Sequence, residues 1–308
     1  MDSQSLFTAI LSAALISAMP LALASVGEAV GETAGLLNLG IEGVLLIGAF
    51  AGFWTALESG SLLLGLLIGT FAGTGCGLLF GVLSVVVGAD QIVLGLGLTL
   101  GGAGITGFLF REFYGSRQPL LDHTMSRPFD RFANDIPIIG EAILGQPWFF
   151  YVTWFVIAAI AFVLRRTRFG LCLRAVGESP DSADASGVRV VQTQVLAATI
   201  AGSLTGLAGA SLSLVELGFF QPNVTIGIGF IAIAAAMLGQ LKPWRIVAIA
   251  IIFGGLRGLG SGLQIADVDV SADLLRLLPY IGVVLALVAT GRQMRLPSAL
   301  GQSLPPRR

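Results

Sequence analysis

The chain has 308 residues, 55% of them hydrophobic and only 11% charged, with a mean hydropathy of +0.89 and a formal net charge of −1. Soluble domains carry about a quarter charged residues, so this composition excludes an ordinary soluble domain. A net charge this close to zero gives no footprint for nucleic acid, and no such partner is expected.

Backbone amides in lipid must be satisfied internally, which makes an all-α integral membrane protein the expected fold class. Charge-free runs cover Ser3–Gly27, Gly43–Leu57, Ser59–Ala89, Gln91–Phe110, Pro147–Leu164, Val190–Val215, Leu217–Leu241, Ile246–Leu256 and Leu277–Gly291. A span needs about 20 residues, so these predict a polytopic bundle of about nine transmembrane helices, within a range of roughly eight to ten. The run around Ile246 is long enough only if it continues through Arg257 to Ala266. The whole of 1–308 is expected to form a single transmembrane domain.

The opening MDSQSLFTAI has no basic stretch before its apolar run, so Leu6–Val26 is expected as a retained first span. Gly35 and Gly40 then bracket a segment where glycine allows a broken or re-entrant helix, near residues 27–45. Asn38 and Glu42 follow, four residues apart and hence on one face if the segment is helical. Polar groups at membrane depth are costly and usually face a cavity or a partner. Two readings stand for Asn38 and Glu42. Either they line a translocation path, or they are structural, with Glu42 paired to a cation such as Arg257 or held at headgroup level. Gly65, Gly69, Gly73, Gly77 and Gly81 recur every four residues, as do Gly254, Gly258 and Gly262, and each set allows close backbone approach along one helix face. Asp90 suits an N-cap for the span that Gln91 opens, while Gln91 can present an amide to a pathway.

Glu112–Gln146 is long for a connection and is expected outside, forming an external loop over 112–147. It holds the lone histidine, His123, and an Ile136–Leu144 stretch suited to an amphipathic surface element. Arg165, Arg166, Arg168, Arg174 and Arg189 flank a polar loop at 165–190, Lys242 and Arg245 flank another, and Arg292, Arg295, Arg307 and Arg308 lie in the tail, together 11 of the 17 basic residues. The positive-inside rule places all three segments, and with them the C-terminus, in the cytoplasm. Asp267, Asp269 and Asp273 then fall outside. Within the polar loop, Ser179 can N-cap a short helix, with Pro180 at its first position, Asp181 at the positive end of its dipole, Ala183 and Ala185 propagating it, and Gly187 closing it. Further along, Glu216 is a second acid at membrane depth, and Phe219, Phe220, Gln221 and Asn223 cluster near the end of a span, where rings can stack on a planar ligand and amides can bond it.

Several chemistries are missing. A P-loop needs a lysine on a glycine-rich lead, and the single lysine, Lys242, sits in Gln-Leu-Lys-Pro-Trp. Gly102–Gly107 matches a dinucleotide-binding glycine pattern only in letters, since it lies inside an apolar span. Cys76 and Cys172 are poor candidates for a disulfide or metal site, so no cofactor and no metal is expected.

Four blocks resemble one family. They are Gly170–Val188 (GLCLRAVGESPDSADASGV), Gly31–Phe50 (GETAGLLNLGIEGVLLIGAF), Ala89–Val93 (ADQIV) and Pro128–Gln146 (PFDRFANDIPIIGEAILGQ). In this order they look like permease subunits of ABC importers, in the nucleoside and simple-sugar branch related to branched-chain amino acid and ribose permeases. The resemblance implies half of a translocation pathway, with an ATPase subunit, a second and longer permease, an extracytoplasmic substrate-binding protein and the lipid of a bacterial inner membrane as partners. It implies coupling to the ATPase through Arg174, Gly177, Glu178, Ser179, Pro180, Asp181, Ala183 and Gly187. Asn38, Glu42, Gln91, Thr99, Phe220, Gln221 and Asn223 are the candidates for the substrate pathway. Thr99 departs from the family, where a larger amide is expected, which weakens any transfer of substrate identity. Nucleosides are the first expectation, with simple sugars or branched-chain amino acids as alternatives. A self-sufficient carrier or channel, using Glu42 and Glu216 for ion coupling, is the reading from another class.

Overall fold

The computed structural model describes residues 3–122, 125–130, 140–265, 272–290 and 296–302. Its helices are α1 (Ser3–Thr33), α2 (Ile41–Ser59), α3 (Leu62–Gly81), α4 (Gln91–Tyr114), α5 (Trp148–Arg166), α6 (Arg168–Glu178), α7 (Pro180–Ala185), α8 (Val190–Ser211), α9 (Ile228–Leu238), α10 (Pro243–Ile265) and α11 (Ala272–Thr290). Wider π-turns extend α3 over Val82–Val86 and α8 over Leu212–Leu217. The chain is an all-α polytopic membrane protein, and six of the described helices are long and apolar enough to cross a membrane.

The helices are not equivalent. The apolar windows of α1, α2 and α8 are each 67% buried, whereas that of α4 is 17% buried. A helix apolar on all sides belongs in the interior of a bundle, and α1 shows why it can stay there. Its inner length is rich in Ala, Ser and Gly, which let α8, α9 and α10 approach closely; Ala14 and Ala18, for instance, receive Gly254 of α10. Gly258 and Gly262, the rest of that glycine set, lie where only the backbone of α10 is described. By contrast, α4 turns Val93, Leu100 and Phe108 outward, all more than half exposed.

The five glycines of α3 form a seam with α8 and α2. A Cβ added at Gly73 would lie 2.5 Å from the Cα of Gly206, and one at Gly202 would lie 2.5 Å from the Gly73 carbonyl. The two backbones therefore touch, with Ala198 and Ala210 extending the small-residue face of α8.

Two expected spans are corrected. The first helix runs to Thr33, not Val26, and carries Glu28 and Glu32 inside it. The Leu217–Leu241 run is not one span, because the helix ends at Leu217, ten residues wind without helix, and α9 restarts at Ile228. Left-handed backbone at Gly218, Asn223 and Gly227 makes a continuous helix impossible there. Eleven residues of α9 cover about 16 Å at 1.5 Å per residue, roughly half of a hydrocarbon core about 30 Å thick. His123, most of the Ile136–Leu144 stretch, Asp267, Asp269, Arg292, Arg295, Arg307 and Arg308 lie outside the described residues.

Candidate functional site

The break between α1 and α2 is closed by side chains from α1, α4 and α8. Helix α1 ends in a Schellman-type turn, with Gly35 at φ +85° and Leu36 N–H donating to the Gly31 carbonyl at 3.0 Å. The chain then runs without helix to Gly40. Its freed backbone groups would be costly if left unpaired, and each of four finds a side chain. Gln194 of α8 donates to the Ala34 carbonyl at 3.1 Å, and Gln91 of α4 accepts from Leu37 N–H at 2.8 Å. Glu28 of α1 accepts from Asn38 N–H at 3.2 Å, and Thr99 of α4 donates to the Leu39 carbonyl at 2.9 Å. Asn38 bends back so that its Oδ1 accepts from Gly40 N–H at 2.8 Å. Three sequence candidates, Asn38, Gln91 and Thr99, therefore meet around this break. Asn38 and Glu42 do not share a helix face, because α2 begins only at Ile41. Asp90 caps α4, its Oδ1 accepting from Ile92 and Val93 N–H.

Glu42 is 8% exposed, and its carboxylate closes the N-terminus of α9. It accepts from Thr225 Oγ1 at 2.5 Å, from Gly227 N–H at 2.7 Å and from Gly229 N–H at 2.7 Å. A half-helix gathers unpaired N–H groups and a partial positive charge at its start, and a carboxylate answers both. Gly227 supplies the left-handed turn at φ +77°, and Gly229 leaves room for the carboxylate, since a Cβ there would lie 2.8 Å from Oε2. The cation suggested for Glu42 is engaged elsewhere: Arg257 pairs with Glu216 at 3.1 Å, and Ser17 donates to the same carboxylate oxygen at 2.8 Å.

Phe220 is fully buried, in contact distance of three other rings. Its centroid lies 5.3 Å from that of Phe50, 5.6 Å from Phe110 and 6.3 Å from Phe53. Gln221 and Asn223 are exposed and stand apart from that cluster.

Two acids escape a sequence scan that stops at the first charge. Glu28 and Glu32 are 1% and 0% exposed, one turn apart near the end of α1, and neither oxygen of Glu32 has a hydrogen-bond partner. Their four-residue spacing directly before the glycine-rich break was the available signal, since acids at membrane depth mark functional positions by default.

The polar loop folds as the two short helices α6 and α7. Ser179 accepts from Ser182 N–H at 3.4 Å, Pro180 takes the first helical position, and Gly187 closes the turn at φ +84°. Ala183 packs with Val176 and Val190 beneath α7, while Asp181 and Asp184 face out. Arg174 donates to the Leu164 carbonyl at the end of α5. Gly177 abuts the end of α1, where any Cβ would overlap the Thr33 carbonyl. Beside it lies a cavity of about 490 Å³ lined by Thr33, Arg165, Arg174, Glu178, Lys242 and Pro297 among others.

The family described as the branched-chain amino acid transport system permease component matches residues 10–287. The chain belongs to that permease family. Among its relatives, the putative glucose ABC transporter permease protein TsgC13 of Haloferax volcanii is 34% identical over 91% of this permease and 84% of its own length. The guanosine ABC transporter permease protein NupQ of Bacillus subtilis is 30% identical over 98% of both chains. The nucleoside ABC transporter permease protein NupC of Lactococcus lactis subsp. cremoris is 32% identical over 89% of both. No solved structure matches this permease.

Proposed function

We propose that this permease is one half of the translocation pathway of an ATP-driven importer of nucleosides. The observation that carries the reading is the end-to-end match to a guanosine permease, which takes in the helix break, the Glu42 block and the polar loop alike. The loop from Arg174 to Gly187 is the docking element for a separate ATPase, with Glu178, Asp181 and Asp184 offering charge and α7 a compact knob. ATP binding draws the ATPase pair together and pulls on this loop. A second, longer permease completes the pathway, and an extracytoplasmic binding protein delivers the substrate. The positive-inside rule supports a cytoplasmic position for the loop, for Lys242 and Arg245, and for the C-terminus. The membrane is a bacterial inner membrane. Asn38, Gln91 and Thr99 act by holding the break that leads into α2, and Glu42 by fixing the α9 half-helix at mid-depth, where half-helix ends serve transport.

A simple sugar is the second reading, favoured by the 34% identity to a putative glucose permease. The test is uptake of radiolabelled nucleosides into proteoliposomes holding this chain with its second permease, ATPase and binding protein. Nucleoside uptake that needs ATP is expected. Glucose uptake without nucleoside uptake would select the second reading, and uptake by this chain alone without ATP would replace both with a carrier.

A further inference from the structure

The stretch 296–302 touches both the ATPase-docking loop and the helix break, though nothing in the sequence marks it. On one side, Ala299 N–H donates to the Gly177 carbonyl at 3.0 Å, and Ser298 Oγ donates to Glu178 Oε1 at 3.2 Å. On the other, Gly301 N–H donates to the Gly35 carbonyl at 3.1 Å, and the Gln302 carbonyl accepts from Gln91 Nε2 at 3.2 Å. The opposite end of the same Gln91 amide accepts from Leu37 N–H. Gln302 also folds back onto the Ser298 carbonyl at 2.9 Å, which makes the stretch a closed turn. Ala299 is 7% exposed and sits against Gly35, where even a Cβ on the glycine would come within 3.3 Å of the Ala299 carbonyl.

These contacts have a direction. The end of α6 carries Gly177 and Glu178, one residue from the cap of α7. The break carries Gly35 and Leu37, and five residues after Leu37 the chain reaches Glu42 and the start of α9. We infer that residues 298–302 are positioning residues, a strap that makes the docking loop and the α1–α2 break move together. The inference rests on the coupling role proposed for the loop. Among the described residues, α6 meets the end of α1 by packing, with Gly177 against the Thr33 carbonyl and Leu173 clustered with Val30 and Ala34, and packing contacts resist a push better than a pull. The strap supplies hydrogen bonds on both sides, so it resists separation as well.

The test uses the full chain assembled with its partners in nanodiscs. Ala299→Pro removes the N–H that reaches Gly177, and Ala299→Gly keeps it as the control. A second variant ends the chain after Pro297. Two readouts are taken, amide exchange across 34–40 and 175–179, and nucleoside uptake compared with ATP hydrolysis. In Ala299→Pro and in the shortened chain, exchange is expected to rise in both segments together by about tenfold, the weight of one or two lost hydrogen bonds. Uptake should fall while ATP hydrolysis continues and the ATPase still co-purifies, with Ala299→Gly close to wild type. Unchanged exchange in either segment, or unchanged uptake, overturns the strap. Loss of the ATPase from the preparation also overturns it, since the stretch would then be a docking contact only. Linked exchange in a wild-type assembly that shows no ATP-dependent uptake would leave the strap standing and remove the importer reading.

Discussion

Replacing Glu42 tests the strongest local claim made by the geometry. Its carboxylate takes three donors, two of them backbone N–H groups at the start of a buried half-helix. Hydrogen bonds to a carboxylate contribute about 1.5–3 kcal/mol each, and a well-placed anion at a helix N-terminus contributes up to about 2 kcal/mol. Glu42→Gln keeps the size and one acceptor oxygen but turns an amide NH₂ toward N–H groups that need an acceptor. At least one donor is then stranded, and the expected cost is about 2–4 kcal/mol, concentrated where α9 begins. Since each 1.4 kcal/mol is a factor of ten, amide exchange at Gly227–Ile231 should accelerate by roughly 30- to 700-fold in the reconstituted permease. Exchange in the middle of α8 should not change. Thr225→Val removes the hydroxyl donor alone and should cost about 1 kcal/mol, well below the larger effect. If Glu42→Gln leaves exchange at 227–231 at the wild-type rate, the carboxylate does not hold the half-helix and the account of α9 fails. If that exchange rises while uptake is intact, Glu42 is structural and plays no part in the path.

Other perturbations probe separate parts of the molecule. Gly206→Val puts branched carbons into the Gly69–Gly73 backbone and should cost at least about 3 kcal/mol with loss of melting temperature, whereas Gly75→Ala, which faces open space, should be silent; equal Tm values would refute the seam. Arg257→Met strands the buried Glu216 carboxylate and should destabilise the permease by about 3–5 kcal/mol, while adding Glu216→Leu should restore most of it; a double variant no better than the single would show that the pair is not coupled. Glu178→Arg and Gly187→Pro, the latter at φ +84° where proline cannot sit, should each abolish uptake with the chain still inserted, and normal uptake in both would end the coupling proposal.

The parts of this structure that were legible in the sequence are those governed by local backbone chemistry. Ser179, Pro180 and Gly187 each have a residue-specific reason to occupy their cap positions, and they do so whatever surrounds them. The four-residue glycine spacing of α3 likewise implies a close approach, although it does not say that Gly202 and Gly206 are opposite. The failures share a cause. Hydropathy scores side chains, but the run from Leu217 to Leu241 is broken by backbone, at Gly218, Asn223 and Gly227. A charge-based boundary ended the first span before Glu28, although the helix continues because those acids are surrounded by protein and not by lipid. Reading Asn38 and Glu42 as neighbours on a helix assumed a helix where Gly35 and Asn38 instead set turns. Gln91 and Thr99 were singled out as candidate pathway residues; their bonds to the break depend on packing 54 and 60 residues away, which no local pattern encodes.

The glycine seam has a mechanical consequence. With backbones in contact, α3 and α8 have no layer of side chains between them that can shear gradually. The facing surfaces have a pitch of four residues, so the next arrangement that restores small groups against backbone is a full turn away, about 6 Å along the axis. Positions between the two would ride up over the ridges. The pair therefore behaves as a notched bar, fixed in one register or moved by a whole tooth. The two non-helical stretches, 34–40 and 218–227, have no such teeth and so carry no such restriction on smaller adjustments.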